Sequence, residues 1–373
     1  MKAMKHVRKL SALALAFVIV LTGCAESGSG GGSGSGNLAD KVENLPAGIA
    51  EKAPVKLMVV RKIGGDDHTA QFLAGAKQEG EALGFKVDTF SANGDSAKFH
   101  DAIAQAIDSD YDGFIISHGD DPASVQDVKK ITEKGIPVVT FDSLPEIGDI
   151  AGVTQTSQDD EQLAKLALDK LIEEQGPEAN IVYLWVDGFP PMVRRNAVYQ
   201  ETLKNNPGIK EVERFGVASD QTSLETQNAV SAILTKYPKG EIDAIFATWD
   251  AFAIGAARAL EEAGRSEVKI YGIDVSNADL ELIQKPDSPW VATAAVDPKM
   301  IGAINVRLLA KKIAGEETPA TYNLEPVLIE RSGLEGATEA VNMVNLADII
   351  PSWGTSTEFE EDWMKALKEA GGK

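Results

Sequence analysis

The feature that most narrows what this chain can fold into is a regular alternation of short β-branched runs with helical stretches. Runs at 55–60, 85–90, 113–117 and 137–141 recur about every 25 to 30 residues, each followed by apolar residues at helical spacing. In the first helical stretch Phe72, Leu73, Ala76 and Leu83 share one face, and Gly84 stands at the C′ position, where positive φ is favoured. The second stretch carries Ala102, Ile103, Ala106 and Ile107. The third carries Val125, Val128 and Ile131 and stops at Gly135. Repeated strand–helix units imply a parallel sheet covered on both faces, because each parallel crossover needs a helix to return the chain.

The alternation then restarts. Leu163, Ala167 and Leu171 mark a helix that leads to runs at 181–185, 209–215, 244–247, 268–273 and 291–295, with a further helix over 298–314. A chain of 373 residues has length for about two domains. Two doubly wound α/β domains account for the pattern better than one sheet of ten strands. Residues 346–373, with Trp353 and an acidic-then-basic helix, read as an appendage with no assignable role.

The N-terminal segment is of another kind. Lys2, Lys5, Arg8 and Lys9 precede an apolar run over 10–22, shorter than the roughly 20 residues that span a bilayer. The run ends Leu21-Thr22-Gly23-Cys24, which matches the lipobox of bacterial lipoproteins. Residues 1–23 therefore read as a signal peptide and Cys24 as the lipidated first residue of the mature chain. Residues 24–53 begin as a Gly/Ser-rich tether. Within it Gly34, Gly36 and Ala39 fit a dinucleotide fingerprint, but no strand precedes them, so no phosphate site is expected.

The formal charge is −21, and loss of four basic residues with the signal peptide takes it to −25. Such a surface repels phosphate and excludes nucleic acid as a partner. With 43% hydrophobic residues the chain is neither a polytopic membrane protein nor disordered, and one cysteine leaves no internal disulfide or thiolate zinc cluster.

In open α/β sheets ligands sit beyond the carboxyl ends of the strands. That rule selects residues 61–68, 117–121 and 142–143 in the first half, and 187–195, 248–250 and 274–277 in the second. These segments are rich in Asp, with His, Arg and one Trp, and contain no P-loop.

With these segments in view, the sequence resembles the type I periplasmic sugar-binding proteins, the ribose-binding-like receptors of ABC importers that share a fold with LacI-type effector domains. The resemblance covers about 54–331. It is carried by Gly135-Ile136-Pro137-Val138-Val139-Thr140-Phe141-Asp142, by 245–256 (beginning Ile245-Phe246-Ala247-Thr248-Trp249-Asp250), by Tyr271-Gly272-Ile273-Asp274 and by Val291-Ala292-Thr293-Ala294-Ala295. No helix-turn-helix precedes the domain, which sets the repressor reading aside.

The resemblance implies two doubly wound parallel-sheet lobes joined by three hinge crossings, near Thr154, Val296 and Tyr322. Lobe one would comprise 54–154 plus 297–322, and lobe two 155–296 plus 323–345. It further implies that Asp142 takes two sugar hydroxyls, that Arg195 donates its fork, that Asp274 accepts from the opposite side, that His118 stands for an amide and that Trp249 offers a ring face. Departures from the ribose pattern are Asp66-Asp67-His68 in place of paired phenylalanines, Ser143 for an arginine, Gln221 for an aromatic, and Val296 for a glutamine with Asp297 beside it. They direct the expectation toward another pentose, a hexose or a polyol.

Plainer roles accompany these. Asp250 is expected to cap the helix that follows it, Asp67 to cap the first helix or meet ligand, and Arg194 to be a solvated neighbour of Arg195. His68 and His118 without a fixed spacing do not make a metal site. The expected protein is a monomeric, non-enzymatic, cofactor-free lipoprotein outside the cytoplasm, anchored to the membrane and docking on an ABC permease. A sugar sensor presenting ligand to a signalling receptor is the alternative, and a glycosidase using pairs among Asp66, Asp142 and Asp274 is the enzymatic one.

Overall fold

The structure, a computed structural model, describes residues 38–372. The expected signal peptide, Cys24 and the Gly/Ser-rich part of the tether (25–37) lie outside them. The strands are β1 (Lys56–Arg61), β2 (Lys86–Ser91), β3 (Gly113–Ser117), β4 (Val138–Phe141), β5 (Val153–Gln158), β6 (Ala179–Leu184), β7 (Ile209–Phe215), β8 (Ala244–Ala247), β9 (Lys269–Ile273), β10 (Trp290–Ala295), β11 (Thr321–Leu324) and β12 (Val327–Glu330). They form two six-stranded sheets among the described residues, ordered β11-β5-β4-β3-β1-β2 and β12-β10-β9-β8-β6-β7. All pairings are parallel except β10 with β12.

The inner strands β1, β3, β4, β6, β8, β9 and β10 are buried on both faces, which is why they read as nearly unbroken apolar runs, while the edge strands β2 and β7 are largely uncovered. In β1, Leu57 and Val59 pack with Phe72, Ile301 and Leu309 on one face. Met58 and Val60 pack with Phe99, Ile103 and Ile131 on the other. The second sheet repeats this: Val182 and Leu184 face Phe252 and Leu260, while Ile181 and Tyr183 face Leu163 and Tyr199. In lobe one the helices Asp67–Ala82 and Pro298–Ala314 touch backbone to backbone. A Cβ at Gly75 would sit 2.1 Å from the Lys299 carbonyl oxygen, and one at Gly302 2.2 Å from that of Phe72, so both positions need glycine.

The chain passes between sheets after Gln158, between Ala295 and Pro298, and between Leu324 and Val327. The first and last crossings lie beyond the expected Thr154 and Tyr322, because β5 and β11 both complete the lobe-one sheet. The middle one lies between Ala295 and Pro298, at Val296 and Asp297.

The C-terminal segment makes a fourth passage. Leu334, Val341, Met343, Leu346 and Trp353 join the lobe-two core. Phe359 then meets Tyr322 edge-on at 4.7 Å, and Met364 and Leu367 join the lobe-one core. Between them Arg307 Nη1 donates to the carbonyls of Ser356 (2.7 Å) and Glu358 (3.2 Å). The appendage is thus a strap that ties the lobes together. Leu367→Ala is expected to cost about 2 kcal/mol in urea unfolding, the low end for a buried leucine, because a terminal helix can relax into the gap. An unchanged midpoint would mean the strap contributes nothing to lobe one.

Candidate functional site

The carboxyl ends of both sheets face one cavity between the lobes. Its lining encloses about 600 Å³ of empty space, counting what is open to solvent at the mouth. Lobe one contributes Arg61 and Ile63 after β1, Asp66 and His68 at the next helix, His118 after β3, Phe141 and Asp142 at β4, and Gln158 ending β5. Lobe two contributes Val186, Phe189, Pro191, Met192 and Arg195 after β6, Ala218 after β7, Trp249 after β8 and Asp274 after β9.

Three of these residues turn the chain sharply at a strand end. His118 has φ 61°, Asp142 φ 48° and Asp274 φ 74°. The left-handed region costs a non-glycine residue about 1–3 kcal/mol, and such strain collects at functional sites. Here it places a side chain directly past the end of each strand.

Arg195 is 2% exposed and organises the floor. Its Nε donates to Asp160 Oδ1 at 2.7 Å, and Nη1 donates to the Thr248 carbonyl at 2.6 Å and to Asp274 Oδ2 at 3.2 Å. Those carboxylates raise its pKa against the opposing pull of burial. Arg194 is no solvated bystander: its Nη2 donates to Asp160 Oδ2 (2.6 Å) and, across the cleft, to Asp142 Oδ1 (3.1 Å). Burial, helped by the Asp160 charge, pushes Asp142 up to about 7 against the pull of Arg194, Arg195 and Arg61. The buried charges compensate one another, so the cavity suits a neutral, hydroxyl-rich ligand better than an ion.

The histidines are set as donors. Arg61 Nη1 donates to Ser117 Oγ (3.0 Å), which leaves the Ser117 hydroxyl proton for His118 Nδ1 at 2.9 Å. Arg61 Nη2 lies 3.5 Å from His68 Nδ1, which must accept because a guanidinium only donates. On this network both rings carry their proton on Nε2. Burial lowers the pKa of each below the ordinary value, so both are neutral. Among the described residues His68 Nε2 and Gln158 Oε1 are buried without a hydrogen-bond partner, one a donor and one an acceptor. Gln158 Nε2 meanwhile reaches across to Asp274 Oδ1 at 3.2 Å.

Of the residues expected from sequence, the cavity brings together Asp66, His68, His118, Asp142, Arg195, Trp249 and Asp274. It does not include Asp67, Gln221 or Asp297. Asp66, not Asp67, caps the first helix, accepting from Thr69 N at 2.6 Å. Asp67 Oδ2 instead accepts from the Asn277 backbone N–H at 2.9 Å, clasping one lobe to the other. Gln221 is exposed at a helix start, where its own N–H goes to Ser219 Oγ. Asp297 caps the helix at the middle crossing through Lys299 N (2.9 Å). Asp250 is the first helical residue rather than the cap, buried and turned toward Asp279.

The sequence reading missed Gln158 and the apolar lining. Ile63, Pro191 and Met192 fall within the strand-end segments, but an apolar side chain there carries no sequence signal that separates cavity lining from core. No cluster of three or more His, Cys, Asp or Glu able to hold a metal occurs among the described residues.

Comparison with known proteins agrees with this geometry. Residues 57–317 match the family described as periplasmic binding protein domain. A sugar ABC transporter protein of Yersinia enterocolitica is 50% identical with a TM-score of 0.84, over 88% of this chain and 98% of that one. The 5-methylthioribose transporter solute binding protein of Thermotoga lettingae, solved with 5-methylthioribose, is 34% identical with a TM-score of 0.79, over 84% and 98%. The ribose import binding protein of Escherichia coli is 27% identical over 68% of this chain and 83% of that protein. These relatives are described as transporter or import binding proteins and give no support to the sensor reading. This chain, with its two doubly wound lobes and the cleft between them, belongs to the periplasmic binding protein domain family.

Proposed function

We propose that this protein is the solute receptor of an ABC importer, capturing a monosaccharide or polyol between its lobes and delivering it to a permease. The observation that carries the reading is the cavity itself: strand ends of both lobes converge on it, with charges compensated and polar atoms left unpartnered. Asp142, Asp274 and Gln158 would accept hydroxyl protons, the two histidines would donate, and Trp249 would cover a C–H face. An analogue lacking one hydroxyl leaves a buried acceptor unpaired, which gives selectivity. The mechanism is capture and release by hinge closure, with no bond made or broken. Contacts already spanning the lobes, Asp67 to Asn277, Arg194 to Asp142 and Gln158 to Asp274, are of the kind closure would form.

The Leu-Thr-Gly-Cys box and the tether support an extracytoplasmic receptor held to the membrane by lipid on Cys24 and working as a monomer. Relatives with ribose, apiose and xylitol in their names point the substrate toward five-carbon sugars and polyols.

A thermal-shift screen against pentoses, hexoses, polyols, amino sugars and nucleosides tests the proposal. A ligand at about 100 times its Kd adds about 2.7 kcal/mol, a rise of several degrees. One or two related sugars are expected to respond, with the response lost in Asp142→Ala. A response confined to nucleosides or amines would keep the fold and overturn the substrate class.

A further inference from the structure

The cavity is polar only in part, and the apolar part is organised. In both sheets the strands nearest the hinge are those at the β5/β11 and β10/β12 edges, while β1–β2 and β6–β7 lie farthest from the crossings. On the lobe-two wall the polar groups, Asp274 after β9 and the Arg195 guanidinium bonded to it, stand on the hinge side. From Trp249 outward the wall turns apolar: Val186 after β6, then Phe189, Pro191 and Met192 at the start of the following helix, and Ala218 after β7. Lobe one adds Ile63 on its own far side, beside the polar Arg61, Asp66 and His68, so the continuous apolar surface is that of lobe two.

A plain sugar needs one apolar surface for its C–H face, which Trp249 or Phe189 supplies. The rest of the wall offers no side-chain donor or acceptor. Tucked against Val186 and Met192, a hydroxyl would lose its water and gain no partner. An alkyl or thioether group in the same place would bury area favourably, and methionine sulfur is an adaptable neighbour for it.

Resting on the sugar-receptor reading above, we infer that the ligand is a sugar whose hinge-distal end carries an apolar substituent, of the alkyl or alkylthio class, in place of a terminal hydroxyl. The hydroxylated end is held on the hinge side by Asp142, Gln158, Arg195 and Asp274. The substituted end lies against Val186, Phe189, Pro191 and Met192.

Titration calorimetry of the purified protein with ribose, 5-deoxyribose and 5-methylthioribose tests this, since the three differ only at one terminal carbon. The expected order is 5-methylthioribose tightest, by about a hundredfold over ribose, with 5-deoxyribose between them. In Val186→Ser the ratio of 5-methylthioribose affinity to ribose affinity should fall about tenfold. Ribose or another fully hydroxylated sugar binding as tightly as 5-methylthioribose overturns the inference and leaves the receptor reading standing. Binding of none of these, with none of the sugars in the thermal-shift screen responding either, overturns both.

Discussion

Arg195→Ala is expected to abolish sugar binding and to lower the melting temperature by on the order of 10 °C. The guanidinium lies 2% exposed between Asp160 and Asp274, themselves 1% and 5% exposed. Its removal takes the cation from Asp274, leaves Asp160 to Arg194 alone and frees the Thr248 carbonyl. Breaking a buried pair from one side costs about 3–5 kcal/mol, mostly because the partner charge is left uncompensated. Arg195→Lys should recover little, since one ammonium cannot span three acceptors in a planar fork. The coupling is measurable: Asp160→Asn combined with Arg195→Ala should cost less than the two single changes added together. Strict additivity in thermal melts would show that the network is not a unit.

Asp279→Asn is expected to stabilise the protein at alkaline pH and to do nothing at pH 4. Asp279 is fully buried, with Ser276 and Asp250 beside its carboxyl. Asp250, also buried, faces it. Burial drives both carboxyls up, Asp279 to about 8 with the Asp274 charge nearby and Asp250 further opposed by the charges of Asp279 and Asp274, so the pair holds a proton at neutral pH. A carboxyl whose folded pKa is raised contributes fully below its unfolded value near 4 and loses that contribution as pH climbs through 8. At 1.36 kcal/mol per unit the loss reaches several kcal/mol, and an amide, which cannot ionise, escapes it. Asp142 acts in the same direction. His68 and His118, held neutral, act oppositely, costing stability as pH falls below about 6.5. The difference between Asp279→Asn and the parent, followed by thermal melts from pH 4 to 9, isolates the one group. It should grow with pH, and a flat difference would sink the assignment.

How far the sequence carried depended on whether burial left an apolar signature. Strands β1, β3, β4, β6 and β8 to β10 are visible because both faces are covered, and the edge strands β2 and β7, largely uncovered, through their place in the strand–helix alternation. Strand β5 is not, since Val153–Gln158 reads as a polar segment. Its Thr156 is buried nonetheless, satisfied through Thr140 O (3.0 Å) and Asn305 Oδ1 (2.6 Å). Missing that strand put the first crossing four residues early and hid Gln158, which the strand-end rule would have selected. Asp67 and Asp297 were misplaced for a different reason: a carboxylate at a helix start is equally suited to a cap, a clasp or a ligand, and only tertiary contacts decide. Arg194 was taken as solvated because its partner Asp142 belongs to the other lobe and lies 52 residues away. The appendage showed helix but no destination, since its crossing from one core to the other depends on which surfaces the lobes leave open.

The measurement that bears most directly on the central claim is calorimetric titration of the parent protein, Gln158→Leu and Asp274→Asn with the sugar giving the largest thermal shift. The account predicts one saturable site in the parent, weakened at least tenfold by Gln158→Leu and more by Asp274→Asn, with both variants still folded. Sugar binding that is indifferent to both substitutions would place the site outside the cleft and contradict the account.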